Sequence, residues 1–393
     1  MQKYWFKMST TYNDNIMFIS ANLSFDASGG RVLSETNLEI LKAVSNASIR
    51  VFSVGRVKNI YTNIKSTSNT LETALANLQL FSGGLHLSAY NSIVNEIAKA
   101  PPDILYLDSS LFGRLAMVVK KKFPDIRIIS FFHNIEFDFR VQCKPGIKRL
   151  LYLPAILSDW MNERWAIRYS DVVVVLHKND SFRSKELYGR KADFIHPICI
   201  ANNKTESLDN SEQPINLPDK YILFVGSAFS PNLEAVKFLC NKVMPALDEN
   251  LIVIGSNMEN YRKEYSANNV LIIGSVSDLK PYYDNAKFVV TPIFTGAGMK
   301  VKVAEALMYG KCVLGSRLSF IGYESAVNSG VCMVADSADE YISMIRSFNP
   351  STAMELKAKE IFAQEFSVSS GNERIKNLLQ MAKSSKIARF EFK

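Results

Sequence analysis

Cysteine is scarce and scattered: the 393-residue chain has five, Cys143, Cys199, Cys240, Cys312 and Cys332, with no close pair among them. That spacing excludes a disulfide framework and a cysteine zinc site, and leaves the thiols as small buried apolar groups. Of four histidines, His86, His177 and His196 lack any metal-ligand spacing and read as structural. Long apolar runs are missing as well. The run Val172 to Leu176 has strand length, far short of the ~20 residues of a membrane-spanning helix. The opening stretch MQKYWFKMSTTYNDN has no apolar core followed by a small-residue cleavage site, so no secretory signal is read and a cytoplasmic location is expected. Absence of low-complexity tracts and of internal repeats excludes solenoids and propellers.

What remains is a globular composition, 47% hydrophobic and 21% charged, in a chain longer than the roughly 250 to 300 residues one core usually supports. Two domains are therefore expected. The net charge of +8 calls for an anionic partner, and phosphorylated small molecules, membrane surfaces and nucleic acid all satisfy it.

Short apolar runs alternate with helix-length amphipathic segments, the pattern of parallel sheets with crossover helices. In the first half the strand candidates are Ile16–Ser20, Ile49–Ser53, Ile104–Leu107, Ile126–Phe132, Val172–Leu176 and Ala192–Ile195. The pattern lapses over 201–220, rich in Asn, Ser and Asp with Pro214 and Pro218, which reads as a linker. It restarts with Tyr221–Val225, Leu251–Ile254, Val270–Ile273, Phe288–Thr291, Cys312–Leu314 and Val331–Val334. Hence residues 1–200 and 221–370 are expected to form two doubly wound domains facing a cleft. Residues 371–393, an apolar-faced helix (Ile375, Leu378, Leu379, Met381, Ala382) with a basic end, are expected to pack back on the first. Ligands in such sheets bind beyond the carboxyl ends of the strands.

Beyond the strand Phe288–Thr291 stand Gly296, Ala297 and Gly298, with Met299 next and a helix expected at once, carrying Val303, Ala306, Leu307 and Gly310 on one face. Strand, glycine turn and helix start make an anion site, because the backbone approaches closely and the helix dipole favours phosphate. Lys300 and Lys302 add positive charge. Glu305 is expected on the face opposite the apolar one, able to accept hydrogen bonds from ribose hydroxyls. The plainer alternative is an ordinary turn with a surface Lys302–Glu305 pair worth ~0.2–0.5 kcal/mol. Two lysines at one helix start behind a strand favour a ligand site.

The segments FVGSAFSPNLEAVKFL (Phe224 to Leu239), LIVIG, VLIIGSVSDLKPYYDNAKFVVTP and GAGMKVKVAEALMYGKCVLGS resemble, in order, the C-terminal domain of family 4 retaining glycosyltransferases (glycosyl transferases group 1) with the GT-B fold. The resemblance implies a nucleotide diphosphate sugar donor held by this half, retention of anomeric configuration and independence from a metal, with no cofactor; no Asp-any-Asp motif occurs. It implies ribose binding by Glu305 and donor contacts around Gly226, Ser227, Asn232 and the loop Gly296 to Lys302. Many members carry a second glutamate where Ala297 stands here, and an arginine and a lysine after the first strand of this domain, where this chain has Ser227 and Pro231–Asn232. Their basic role is then expected of Lys300 or Lys302, with Lys300, next to the helix amides, favoured as the catalytic one and Lys302 as a donor contact.

In the first half, Asp26-Ala-Ser-Gly29-Gly30-Arg31 follows a strand and precedes a helix expected from about Val32. Gly29 and Gly30 would let amides approach a phosphate or an acceptor, with Arg31 at the helix start; a simple loop is the alternative, and the family commonly has a Gly-Gly loop here. His133, Asn134 and Glu136 follow Ile126–Phe132. A lone histidine is more often a packed residue than a catalytic one, but the resemblance implies that His133 touches the donor sugar, with Asn134 beside it. The basic, aromatic stretch Lys144 to Tyr169 suits either an anionic membrane surface or a plain helix covering the sheet.

The expected reaction is glycosyl transfer to a saccharide or lipid-linked acceptor in cell-surface polysaccharide or glycolipid synthesis, with no nucleic-acid partner. The rivals are a nucleotide-sugar epimerase of the same fold and a non-catalytic nucleotide-sugar-binding subunit. A dehydrogenase is disfavoured, since the first glycine pair is not GxGxxG.

Overall fold

In the computed structural model the described residues are 15–24, 29–56, 60–143, 148–201, 217–265 and 269–384. The N-terminal stretch, Asp26, residues 144–147, most of the proposed linker and the basic end of the tail lie outside them.

The first sheet comprises β1 Asn15–Ser20, β2 Ser48–Gly55, β3 Thr62–Lys65, β4 Ile104–Leu107, β5 Arg127–Phe132, β6 Val172–Val175 and β7 Phe194–Ile195, all parallel in the order β3-β2-β1-β4-β5-β6-β7. The second comprises β8 Tyr221–Val225, β9 Leu251–Ile254, β10 Val270–Ile273, β11 Ala286–Thr291, β12 Val313–Gly315 and β13 Cys332–Val334, parallel in the order β10-β9-β8-β11-β12-β13. Parallel strands covered by helices on both faces are buried throughout, which is why β6 is four valines and β8 reads Tyr-Ile-Leu-Phe-Val without polar alternation. Both units are α/β and doubly wound, as the alternation of runs requires.

The exception is β3, which the apolar-run criterion misses. Its sequence is Thr-Asn-Ile-Lys, among the described residues it pairs only with β2, and of its four side chains Ile64 alone is buried. An edge strand needs only one inward side chain.

Two compact units divide the chain. The described residues up to Val175, Asp180–Ile195 and those from Asn372 onward form one; Leu176–Asn179 and those in His196–Gly371 form the other. The last helix, Val368–Ser384, thus begins in the second unit and belongs to the first from Asn372 on. In the first unit, Met17 and Ile19 of β1 meet Phe52, Leu105 and Leu107 in one apolar cluster, while Phe18, Tyr106 and Phe131 stack across β1, β4 and β5. Cys199, Cys240, Cys312 and Cys332 are buried thiols.

The helix Leu153–Tyr169 turns inward a polar row, Ser158, Asp159, Asn162 and Glu163. It packs against the helices Thr70–Leu78 and Gly113–Lys122.

Candidate functional site

The strand order of the second sheet reverses between β8 and β11, and ligands of such sheets bind beyond the carboxyl ends of the strands at this switch point. There Gly226 follows β8, and a Cβ on it would stand 2.7 Å from the Lys302 ammonium and 2.8 Å from the Asn232 amide; only glycine leaves room for them. Asn232, in the helix Ser230–Phe238, donates from Nδ2 to the Ser227 carbonyl at 2.8 Å. Its Oδ1 accepts from Lys302 Nζ at 2.6 Å, and that ammonium also lies 4.3 Å from the centroid of the Phe224 ring. Burial, with the neighbouring charge of Lys300, pushes the Lys302 ammonium down to about 7. Five residues expected about the donor are thereby brought to one place: Gly226, Ser227, Asn232, Lys300 and Lys302.

Gly296 and Gly298 both hold left-handed backbone, φ 112° and 68°, which favours glycine at each turn of the loop. Two expectations need correction here. The helix does not start at once; it spans Val301–Met308 with Lys300 at its N-cap, because the Tyr323 hydroxyl donates to the Lys300 carbonyl at 2.7 Å and Met299 packs inward on Gly322. Met299 is thus a buried anchor of the loop. Ala297 is partly exposed, and its carbonyl and that of Gly298 accept from Lys300 Nζ at 3.1 and 2.7 Å. Nor does Glu305 stand on an open polar face. It is partly buried, its Oε2 accepts from the Tyr283 hydroxyl at 3.0 Å, and Tyr283 stacks on Tyr309 at 4.5 Å. Burial raises the Glu305 carboxyl above its ordinary range, while Tyr283 and the charge of Lys302 pull it back.

In the first sheet the reversal lies between β1 and β4. Asp108, immediately after β4, is fully buried and accepts at Oδ2 from the Ser20 hydroxyl at 2.6 Å and from that of Ser34. Its Oδ1 pairs with His133 Nε2 at 3.1 Å, and the Asn22 amide lies 3.3 Å from the same ring nitrogen. Burial opposes the imidazolium, but Asp108, supported by Glu136, outweighs it and the His133 pKa is raised. Among the described residues, His133 Nδ1 is buried without a hydrogen-bond partner.

The glycine pair is not a loop before a helix at Val32: the helix is Gly29–Val44, with both glycines in its first turn, where the side chain of Asn22 lies close to Gly30. Arg31 is paired with Glu35 at 2.8 Å along the same helix.

Asn134 donates to Glu136 Oε1 at 2.5 Å. Glu136 begins the helix Glu136–Cys143, whose amides at Glu136 and Phe137 are accepted by Glu163 at 2.7 and 3.3 Å. Glu163 also receives the hydroxyls of Ser110 at 3.0 Å and Tyr188 at 2.6 Å, and burial pushes its carboxyl up to about 8 against these four donors. His86 caps the helix Leu87–Lys99 by accepting from the Ala89 amide at 3.0 Å, a structural role. His177 and His196 are buried.

Asp108, Tyr283, Phe224 and Glu163 were missed in reading the sequence. A signal for Asp108 was present, since it follows a strand at the carboxyl end; Glu163 had none, because its helix reads as basic and apolar. Among the described residues, no group of three or more His, Cys, Asp or Glu side chains is placed to hold a metal ion.

Residues 219–348 match the family model described as glycosyl transferases group 1. Among solved structures, a glycosyltransferase from Rickettsia africae ESF-5 is similar at TM-score 0.65 and 15% identity, covering 95% of this chain and 100% of its own. Anabaena Alr3699/HepE in complex with UDP gives TM-score 0.64 and 13% identity over 93% of this chain and 99% of its own. The lipopolysaccharide outer core galactosyltransferase WaaB in its apo form gives 0.59 and 13% over 93% and 99%. No curated protein sequence matches the chain at a significant level. The fold is the two-sheet α/β architecture of GT-B glycosyltransferases, and the stretch matched by the group 1 model lies within the second unit.

Proposed function

We propose that the protein is a retaining, metal-independent glycosyltransferase of family 4, which moves a sugar from a nucleoside diphosphate sugar to a hydroxyl of a saccharide or lipid-linked glycan in cell-surface polysaccharide or glycolipid synthesis. The observation that carries this is the meeting of Gly226, Asn232 and Lys302 at the switch point of a domain matched as a group 1 glycosyltransferase. We place the enzyme in the cytoplasm, with peripheral contact at the inner face of the membrane.

Chemically, the bond from the anomeric carbon to the diphosphate oxygen breaks and one to the acceptor oxygen forms, on the same face. The acceptor proton passes to the departing diphosphate. Positive charge at the leaving group is the protein's main contribution. Lys302 is assigned that task ahead of Lys300, whose ammonium is held by its own loop carbonyls. The loop Gly296–Ala297–Gly298 and the amides of Val301 and Lys302 at the helix start complete the cradle. Glu305 is assigned to the ribose hydroxyls, with Tyr283 holding its carboxylate in place. From the first unit, His133 and Asn134 are assigned to the donor sugar, and Gly29, Gly30 and Arg31 to donor contacts.

Support for a uridine nucleotide comes from the Anabaena protein, whose structures hold UDP and UDP-glucose. The test is thermal unfolding against UDP, GDP, ADP and CMP compounds, followed by release of nucleotide from the selected donor with and without acceptor, each with and without EDTA. One nucleotide should stabilise, by ~2.7 kcal/mol at a hundredfold excess over its dissociation constant. Release should then require acceptor and survive EDTA. No stabilisation by any nucleotide overturns the reading; release without acceptor favours an epimerase or hydrolase, and loss with EDTA removes metal independence.

A further inference from the structure

Leu71, Ala74, Leu75 and Leu78 follow one another at helical spacing along Thr70–Leu78, yet this apolar stripe faces solvent rather than the core, with Leu71 70% and Leu78 65% exposed. An amphipathic helix normally buries that face. The stripe continues across a groove of about 610 Å³, lined by Leu78, Leu80, Phe137, Leu153, Leu157 and Trp160, onto the helix Leu153–Tyr169. Beyond it Leu150 and Leu151 are exposed, the latter by 83%. Contiguous exposed leucine on this scale marks a surface that meets another apolar phase.

Along 148–169 the exposed charge is of one sign, and Glu72, in the helix Thr70–Leu78, is engaged within the protein, accepting from the Ser68 hydroxyl at 2.6 Å. Within 148–169 the two acidic residues, Asp159 and Glu163, are fully buried, while Arg149, Arg164 and Arg168 are exposed. Arg164 lies 5.2 Å from the Trp160 ring centroid, at the border of the apolar surface. Leucines flanked by arginines, in a chain of net charge +8, match the layered chemistry of an anionic bilayer surface, with acyl chains beneath phosphate headgroups.

We infer that this face of the first unit docks on anionic phospholipid membranes, with Leu71, Leu75, Leu78 and Leu151 entering the acyl boundary and the arginines lying among the headgroups. This surface contains none of the residues assigned to the donor, so docking stands or falls apart from glycosyl transfer.

The test is cosedimentation of the full chain with vesicles of mixed phosphatidylglycerol and phosphatidylcholine, and with phosphatidylcholine alone, at low and high salt. Wild type should bind the mixed vesicles at low salt and detach as salt rises. Leu75→Asp, and independently Leu151→Asp, should each lower the partition by about tenfold or more, at unchanged melting temperature and nucleotide binding. Both positions are solvent-exposed, so the variants fold, and the second stands in for the first should the first lose stability. Equal binding to neutral and anionic vesicles overturns the inference, as does binding indifferent to both substitutions. A concentration-dependent dimer that Leu75→Asp dissociates, without vesicle binding, assigns the stripe to a second copy of the chain and also overturns it.

Discussion

The Lys302 ammonium rests between the Asn232 side-chain oxygen, 2.6 Å away, and the Phe224 ring, 4.3 Å from its centroid. Neither neighbour carries a full negative charge, so burial leaves the cation under-compensated and its pKa falls to about 7. A bound diphosphate supplies the missing charge. Nucleotide binding is therefore expected to take up a proton above about pH 7 and to weaken as pH rises. In Lys302→Met that slope should vanish, and affinity should fall by roughly 1.5–3 kcal/mol. Turnover should fall further, as leaving-group charge grows in the transition state. Because unfolding lets the lysine protonate freely between about pH 7 and its ordinary range, the folded state is penalised at neutral pH and relieved as pH rises. Lys302→Met should melt no lower than wild type. Calorimetric titration in buffers of different ionisation enthalpy reads the proton uptake, and an unchanged slope in the variant would dismiss Lys302 as the phosphate ligand.

Glu305 and Tyr283 are expected to act as a pair. Glu305→Ala should cost roughly 1.5–3 kcal/mol of nucleotide affinity in a folded protein, the value of charge-assisted hydrogen bonds. Tyr283→Phe removes the donor that orients the carboxylate at 3.0 Å, so it should weaken binding by less, and in the double variant the two losses should not add. Strict additivity in isothermal titration would separate the tyrosine from the site.

How much of this could be read from the chain depends on the physics of each residue. Strands buried on both faces are continuous apolar runs, so β6 and β8 stand out, whereas the edge strand β3 with only Ile64 inward does not. The glycine turn at Gly296 and Gly298 was legible because left-handed backbone selects glycine. The surroundings of Glu305 are not legible: its partner Tyr283 stands 22 positions back on another helix, and helical spacing says nothing of a neighbour that comes from elsewhere. Gly29 and Gly30 read as a loop because glycine is a poor helix former, yet they form a helix's first turn.

Asp108 is a positioning residue for His133. Its carboxylate holds Nε2 at 3.1 Å and is itself fixed by Ser20 and Ser34. Asp108→Asn should lower the His133 pKa, since the charge that outweighs burial is gone, and should slow turnover by about tenfold or more with a smaller change in donor KM. Imidazole proton NMR against pH reads the first effect. A His133 titration unmoved by the substitution would show that its ionisation does not depend on Asp108.

Glu163 gives the molecule a second pH-dependent contribution to stability, of opposite sign to that of Lys302. Four donors converge on it, from Ser110, Tyr188 and the amides of Glu136 and Phe137. Burial nonetheless dominates and carries the carboxyl from 4.5 up to about 8. In the unfolded chain the same group ionises near its ordinary value, so between about pH 4.5 and 8 the folded state binds the extra proton. Stability therefore falls as pH rises through that window and levels off above about 8, the whole change being on the order of a few kcal/mol. Glu163→Gln cannot ionise, so its melting temperature should depend less on pH over the same range. It also turns one amide N–H toward donors, which should lower its absolute stability and loosen the start of the helix Glu136–Cys143, next to Asn134 and His133. Melting curves of both proteins across pH 5 to 9 decide it. Parallel pH profiles would mean that the four donors, rather than burial, set the charge of Glu163, and that it is an ordinary helix-capping carboxylate.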